Sequence, residues 1–214
     1  MRNQNQPVAL EGYPFIGLFA FITIVFGLLG WGFLTFVMFA LTLFTVFFFR
    51  NPERLIPDEP GVVVAPADGK VIFVGEVDEP RCLQGRAVKV SIFMNVFDVH
   101  VNRFPCDGKV IDSFYNKGAF LNASLDKASL ENEQSGLLIE TEQGHRILCV
   151  QIAGLVARRI VSYPEVGDVL KRGMRYGLIR FGSRVDLYLP VDAAVRMRVG
   201  DRTVAGETVL CTLP

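Results

Sequence analysis

"RFGSRVDLYLP" occupies residues 180–190. From Ser183 onward, polar and apolar side chains alternate: Arg184, Asp186 and Tyr188 against Val185, Leu187 and Leu189. A period of two places successive side chains on opposite faces, which is the pattern of a β-strand. A Gly-Ser pair stands immediately before the alternating run. This strand is one of many. Others are "GVVVAP" (61–66), "GKVIFVGEV" (69–77), "RAVKVSIFM" (86–94), "GKVIDSFY" (108–115), "SGLLIET" (135–141), "HRILCVQIAG" (145–154), "GDVLKRG" (167–173), "AAVRMRV" (193–199) and "TVAGETVLCTL" (203–213). Gly, Pro and Asp separate them at intervals of roughly 8–12 residues, the spacing of an all-β sandwich or barrel. The expectation is a mainly β unit over residues 50–214, sandwich- or barrel-like, with few short helices. "ARRIVSY" (157–163) is the one doubtful helical stretch.

The amino-terminal quarter is different. Residues 14–49 read "PFIGLFAFITIVFGLLGWGFLTFVMFALTLFTVFFF" without a charged residue. One bilayer crossing needs roughly 20 residues at about 1.5 Å each. The run is longer than one crossing and short of two comfortable ones, and "GLLGWG" (27–32) breaks it near the middle. After a tail over residues 1–12, a helical hairpin over 13–49, spanning or re-entrant, is therefore expected; a single long span is the alternative. Only Arg2 precedes the run as a basic residue and no A-x-A site ends it, so it does not read as a cleaved signal peptide. Tyr13 and Trp31 suit the two interfaces. Two crossings leave both ends on one side, and Arg50 and Arg54 place that side in the cytoplasm by the positive-inside bias. The localisation expected is the cell membrane, with the catalytic unit cytoplasmic.

Lys plus Arg and Asp plus Glu both number 22 in this chain of 214 residues. A net charge of zero argues against a nucleic-acid binder, which needs a basic face to displace counterions. Cys82, Cys106, Cys149 and Cys211 are widely spaced, with no CxxC pair, so neither a metal site nor a disulfide framework is expected.

Only two histidines exist, His100 and His145. Asp98 precedes His100 by two residues, and in an extended strand the two would share a face, where a carboxylate can poise an imidazole as a base. His145 follows a turn glycine and reads as solvent-exposed. Gly182-Ser183 offers different chemistry. The serine oxygen can attack the carbonyl carbon before it, turning amide into ester. β-Elimination of the ester leaves dehydroalanine, which hydrolyses to ammonia and a pyruvoyl group. Such a ketone forms a Schiff base with an amine and serves as an electron sink. Taken alone, Gly-Ser is also an ordinary turn.

Four further stretches bear on that choice: "NRFP" (102–105), "NKGAFLNASLDKASLENEQ" (116–134), "VQIAGLVARRIV" (150–161) and "GLIRFGSRVDLYLP" (177–190). Together, and in this order, they resemble the short bacterial form of phosphatidylserine decarboxylase, from about Pro60 to the end. The resemblance implies a proenzyme that cuts itself between Gly182 and Ser183 into a β chain of residues 1–182 and an α chain of residues 183–214. Ser183 becomes the covalent pyruvoyl cofactor, with no metal and no external cofactor. It implies phosphatidylserine as substrate, phosphatidylethanolamine as product, the lipid bilayer as partner, and room for a homo-oligomer. Asp98 and His100 match the family's Asp-x-His segment. Longer members have a helper histidine near the segment aligned with "SLENEQ"; this chain has none there, so His100 with Asp98 is expected to take that part. Arg158, Arg159 and Arg184 are the candidate cations for the anionic headgroup, with a surface salt-bridge network as the alternative for the Arg158–Arg159 pair. Two readings compete: a lipoyl-type carrier modified at Lys127 in "LDKAS" (125–129), and a membrane-anchored β-domain without chemistry. A related pyruvoyl enzyme acting on another amino-acid headgroup is a third.

Overall fold

In the computed structural model, residues 6–118, 132–154, 159–180 and 183–214 are described. The chain divides into two compact units, one ending at Glu53 and the other running from Arg54 to Pro214.

The first unit is the expected hairpin. Helix α1 spans Tyr13–Leu28 and α2 spans Gly32–Phe48, preceded by a short 3-10 turn at Leu10–Gly12. The turn between the helices uses Gly30, whose φ of 74° is one that glycine adopts without strain. The two open ends are tied together: Ala9 N–H donates to the Phe49 carbonyl at 2.8 Å, and Asn51 N–H donates to that of Pro7 at 2.7 Å. Both ends of the hairpin therefore emerge on one side. Hydroxyls within it are satisfied locally, with Thr23, Thr42 and Thr45 each donating to the carbonyl four residues earlier at 2.7–2.8 Å. Helices of 16 and 17 residues reach about 25 Å, a little under the hydrocarbon thickness of a bilayer. The stretch Leu10–Leu28 is long and apolar enough to cross a membrane by length and composition.

The second unit is mainly β, as its alternating runs require. Its strands are β1 (Val62–Val64), β2 (Gly69–Glu79), β3 (Gly85–Met94), β4 (Val101–Arg103), β5 (Gly108–Asn116), β6 (Gln134–Glu140), β7 (Arg146–Ala153), β8 (Ile160–Ser162), β9 (Val169–Leu170), β10 (Arg175–Ile179), β11 (Ser183–Leu189), β12 (Ala194–Val195), β13 (Arg202–Thr203) and β14 (Val209–Thr212). Eight of them form one antiparallel sheet in the order β13-β2-β3-β11-β7-β6-β5-β9, and two three-stranded sheets, β1-β14-β12 and β4-β10-β8, complete the unit. A shared core joins all three: Val90 and Ile92 from β3, Val185 and Leu187 from β11, Phe104, Tyr176 and Ile179 around β10, and Leu210 and Cys211 from β14. The doubtful "ARRIVSY" stretch resolves in its described part as strand β8, its β-branched Ile160 and Val161 pairing with Ile179 and Leu178.

Strand β11 lies between β3 and β7 near the middle of the large sheet. The strand before it, β10, belongs to a different sheet. Between Ile179 and Ser183 the chain thus passes from one sheet to another. Close packing at β10 requires a glycine: a Cβ on Gly177 would meet the Val161 carbonyl oxygen within 2.1 Å.

Candidate active site

Ser183 is the first residue of β11, in register with Met94 at the end of β3 and Ala153 at the end of β7. Its relative exposure is 0%. Alternation puts it on the core face with Val185, Leu187 and Leu189. The hydroxyl donates to the Met94 Sδ at 3.4 Å. A thioether is a weak acceptor, so this contact leaves the oxygen's nucleophilic lone pairs uncommitted. A polar relay continues from the same sulfur. Asn102 Nδ2 donates to it at 3.7 Å, and Gln151 Nε2 donates to Asn102 Oδ1 at 2.8 Å. Met94, Asn102 and Gln151 are all fully buried. The "NRFP" stretch thus has three inward tasks: Asn102 joins the relay, Arg103 Nη1 holds the Gly173 carbonyl at 2.8 Å, and Phe104 enters the core. Burial, reinforced by Arg175 and Arg54, pulls the Arg103 guanidinium down to about 10.

His100 sits immediately before β4, at 2% exposure. Its carbonyl accepts from Ile179 N–H at 3.4 Å, which places it where β10 ends and the chain turns toward Ser183. The ring Nδ1 lies 3.0 Å from the Asp98 carbonyl oxygen. A carbonyl only accepts, so Nδ1 carries a proton, and in a neutral ring that leaves Nε2 as the basic nitrogen. The expected strand geometry of Asp98 and His100 is not what forms. Asn95 to Asp98 make a turn, in which Asp98 Oδ2 accepts from Asn95 N–H at 2.9 Å and Oδ1 from Arg202 Nη2 at 2.6 Å. A short aspartate side chain readily bonds the backbone three residues back, and that local bond wins here. Asp98 therefore orients His100 through its backbone carbonyl while its carboxylate closes the turn.

Arg184 points to the other face of β11. It is 2% exposed and grips Asp186 with two bonds, Nε–Oδ1 at 2.5 Å and Nη2–Oδ2 at 2.7 Å. Lys89 adds a third contact to Asp186 at 3.2 Å. The guanidinium expected for the headgroup is thus already neutralised inside the sheet. Arg159 is exposed at the start of β8, its carbonyl 3.4 Å from Arg180 N–H. Gly182, Arg158 and Lys127 lie outside the described residues. His145 is half-buried, with Nε2 3.2 Å from the Pro214 carbonyl. It stands at the opposite end of β7 from Ala153, roughly 25 Å away along the strand.

Sequence reasoning missed the part played by Asn132 and Glu133, inside the segment that lacks a histidine. Asn132 Nδ2 donates to the Ala153 carbonyl at 2.7 Å, and Ala153 N–H donates to the Glu133 carbonyl at 2.9 Å. Together they bracket the β7 residue that pairs with Ser183. The buried Glu133 carboxylate accepts from Tyr115 Oη at 2.7 Å and Ile160 N–H at 3.3 Å. Holding that bond to Glu133 pushes the Tyr115 hydroxyl above its ordinary pKa.

A buried hydroxyl opening a central strand and a buried imidazole just before β4 are the features of this candidate site. Comparison with known proteins gives the family that carries it. The phosphatidylserine decarboxylase family model matches residues 41–211. The chain is 64% identical to the phosphatidylserine decarboxylase proenzyme of Syntrophotalea carbinolica, over 98% of each chain. It is 54% identical to that of Geotalea uraniireducens and 52% to that of Geobacter sulfurreducens, over the whole of each chain. The chain belongs to the phosphatidylserine decarboxylase family, and it is an enzyme of that activity.

Proposed function

We propose that this decarboxylase matures by breaking its own Gly182–Ser183 bond and that Ser183 supplies a covalent pyruvoyl group. The observation that carries this reading is the place of Ser183 as the first residue of a strand held on both sides. When the preceding bond breaks, residues 183–214 stay in the fold: β11 remains laddered to β3 and β7, β13 to β2, and β14 to β1. The group also fits. It keeps the three carbons of Ser183: the hydroxyl oxygen leaves with the Gly182 carboxylate, the nitrogen leaves as ammonia and water supplies the ketone oxygen, so the fully packed core face by Met94 needs no extra room. When formed, its ketone takes up the amine of phosphatidylserine and withdraws electrons as carbon dioxide leaves.

The chain's own residues do the rest. His100 Nε2, basic because Nδ1–H is held by the Asp98 carbonyl, takes the Ser183 hydroxyl proton during self-cleavage or returns a proton to the α-carbon during turnover. Arg159, exposed near the strand crossover, is a cation for the phosphate or carboxylate of the headgroup, and Arg158 is its proposed companion. Arg184 instead braces the strand. The apolar hairpin over residues 13–49 anchors the enzyme, with Arg50 and Arg54 keeping the 50–214 unit on the cytoplasmic side. Phosphatidylethanolamine is the product.

Intact-mass analysis of wild type beside Ser183→Ala tests the reading. Two pieces joining at 182/183, the second with a blocked start, are expected for wild type, and one uncut chain for Ser183→Ala. Labelled phosphatidylserine should yield phosphatidylethanolamine only with the cut enzyme. An unbroken wild-type chain that still turns over lipid would overturn it.

A further inference from the structure

The register that locates Ser183 also shows what surrounds it at that end of the sheet. Ser183 pairs with Met94, the last residue of β3, and the chain then runs directly into the turn Asn95–Asp98. Three bonds shape this turn: Asn95 N–H to Asp98 Oδ2 at 2.9 Å, Asp98 N–H to the Asn95 carbonyl at 3.1 Å, and Phe97 N–H to Asn95 Oδ1 at 2.8 Å. Its outermost side chains are apolar. Val96 is 36% exposed and Phe97 is 66% exposed. The Phe97 ring, two-thirds exposed on a hydrogen-bonded turn, lies three residues from the register partner of Ser183.

The charge around the turn indicates its partner. Arg202 and Lys70 are in register with each other, and Lys70 is in register with Phe93. Both cations are exposed, and Arg202 reaches the turn itself through Asp98. The Asp98 carboxylate is buried, and the Asp201 carboxylate folds back onto Arg198 N–H at 2.8 Å. An outward ring flanked by exposed cations is the combination that inserts at a lipid interface and meets anionic headgroups.

We propose that the Asn95–Asp98 turn is a docking tip, by which the catalytic unit seats the Ser183 end of its sheet on an anionic phospholipid bilayer. Val96 and Phe97 enter the interface, while the exposed Lys70 meets phosphates or carboxylates and Arg202 stays tied to Asp98, holding the turn in shape. The proposal rests on the reading of Ser183 as the reacting residue and adds how a bilayer-resident lipid is brought to it.

The test uses full-length protein and two substrates: phosphatidylserine in phosphatidylcholine vesicles, and short-chain phosphatidylserine dispersed as monomers. For Val96→Ser/Phe97→Ser, the KM for vesicle substrate should rise about tenfold, the order expected for one lost phenylalanine contact with an apolar phase. Its kcat, its self-cleavage and its activity on monomeric substrate should stay at wild-type values. In a Trp31→Phe background, a Phe97→Trp reporter should be quenched by brominated lipid. An unchanged vesicle KM, equal losses on both substrates, or an unquenched Phe97→Trp would overturn the docking tip. The quenching readout needs no catalysis, so a failure of self-cleavage at 182/183 would sink the functional reading without being mistaken for a failure of docking.

Discussion

The two faces of the eight-stranded sheet meet along β11 and are built differently. On the core face, Ser183, Val185, Leu187 and Leu189 pack against apolar neighbours, and the polar groups next to Ser183 are neutral: a thioether and two carboxamides. On the opposite face, Arg184 and Asp186 form a fully buried ion pair joined by Lys89, with Tyr188 beside them. The contrast teaches that charge lying next to a proposed cleavage point in sequence need not face it. A step of one residue moves a side chain to the other side of the sheet. The core face keeps a weakly held hydroxyl. The opposite face locks the strand that carries it with bonds that are strong because they are dry.

Four substitutions or conditions would break or sharpen that division. The largest effect is expected from Ser183→Ala. Maturation and turnover should vanish on a gel and in a product assay, while the melting temperature stays near that of the uncut precursor, because the lost contact to sulfur is weak. Next comes His100→Ala, which should slow self-cleavage or decarboxylation by about 10²–10⁴, the usual contribution of a positioned base or acid. Normal rates for both would remove His100 from the chemistry.

Asp186→Ala tests the opposite face. Leaving Arg184 buried without its carboxylate should cost about 3–5 kcal/mol in chemical denaturation. Whatever folds should still cut itself, and the double change Arg184→Met/Asp186→Leu should recover much of the loss. If folded Asp186→Ala protein were stable yet uncut, the two faces would not be separable as argued.

The smallest effect concerns pH. Burial pushes the Cys149 and Cys211 thiols from 9.0 up to about 12, and it raises Cys106 and Tyr176 as well. A folded-state pKa above the unfolded value stabilises fully below the unfolded pKa and less as pH rises past it. Thermal stability should therefore decline between about pH 9 and 12, and Cys149→Ala should make the decline shallower. A melting temperature that stays flat from pH 8 to 11 would contradict this assignment.

Much of this was legible before any fold was seen. The uncharged run at 14–49 with glycines near its middle specified a hairpin, because apolar length and a helix break are local properties. The strands followed from alternation and turn residues. Even β8 in "ARRIVSY" had its β-branched Ile160 and Val161 in plain view. The candidate site was legible only in part. Gly182, Ser183 and His100 stood out by residue type and resemblance, and the structure puts Ser183 and His100 where the chain leaves β10 for β11. Arg184, expected at the headgroup, is held instead by Asp186, two residues away on the same face.

Sequence alone determined that this chain has an apolar hairpin, a mainly β unit, and one glycyl-seryl link in front of an alternating strand. Tertiary structure alone decided which groups face one another across strands: Ser183 with Met94 and Ala153, Asn132 and Glu133 around Ala153, and Asp98 turned to Arg202 rather than to the imidazole. The reason is physical. Periodicity says which side of a strand a residue occupies, but register between strands distant in sequence is set by the packing of the whole core.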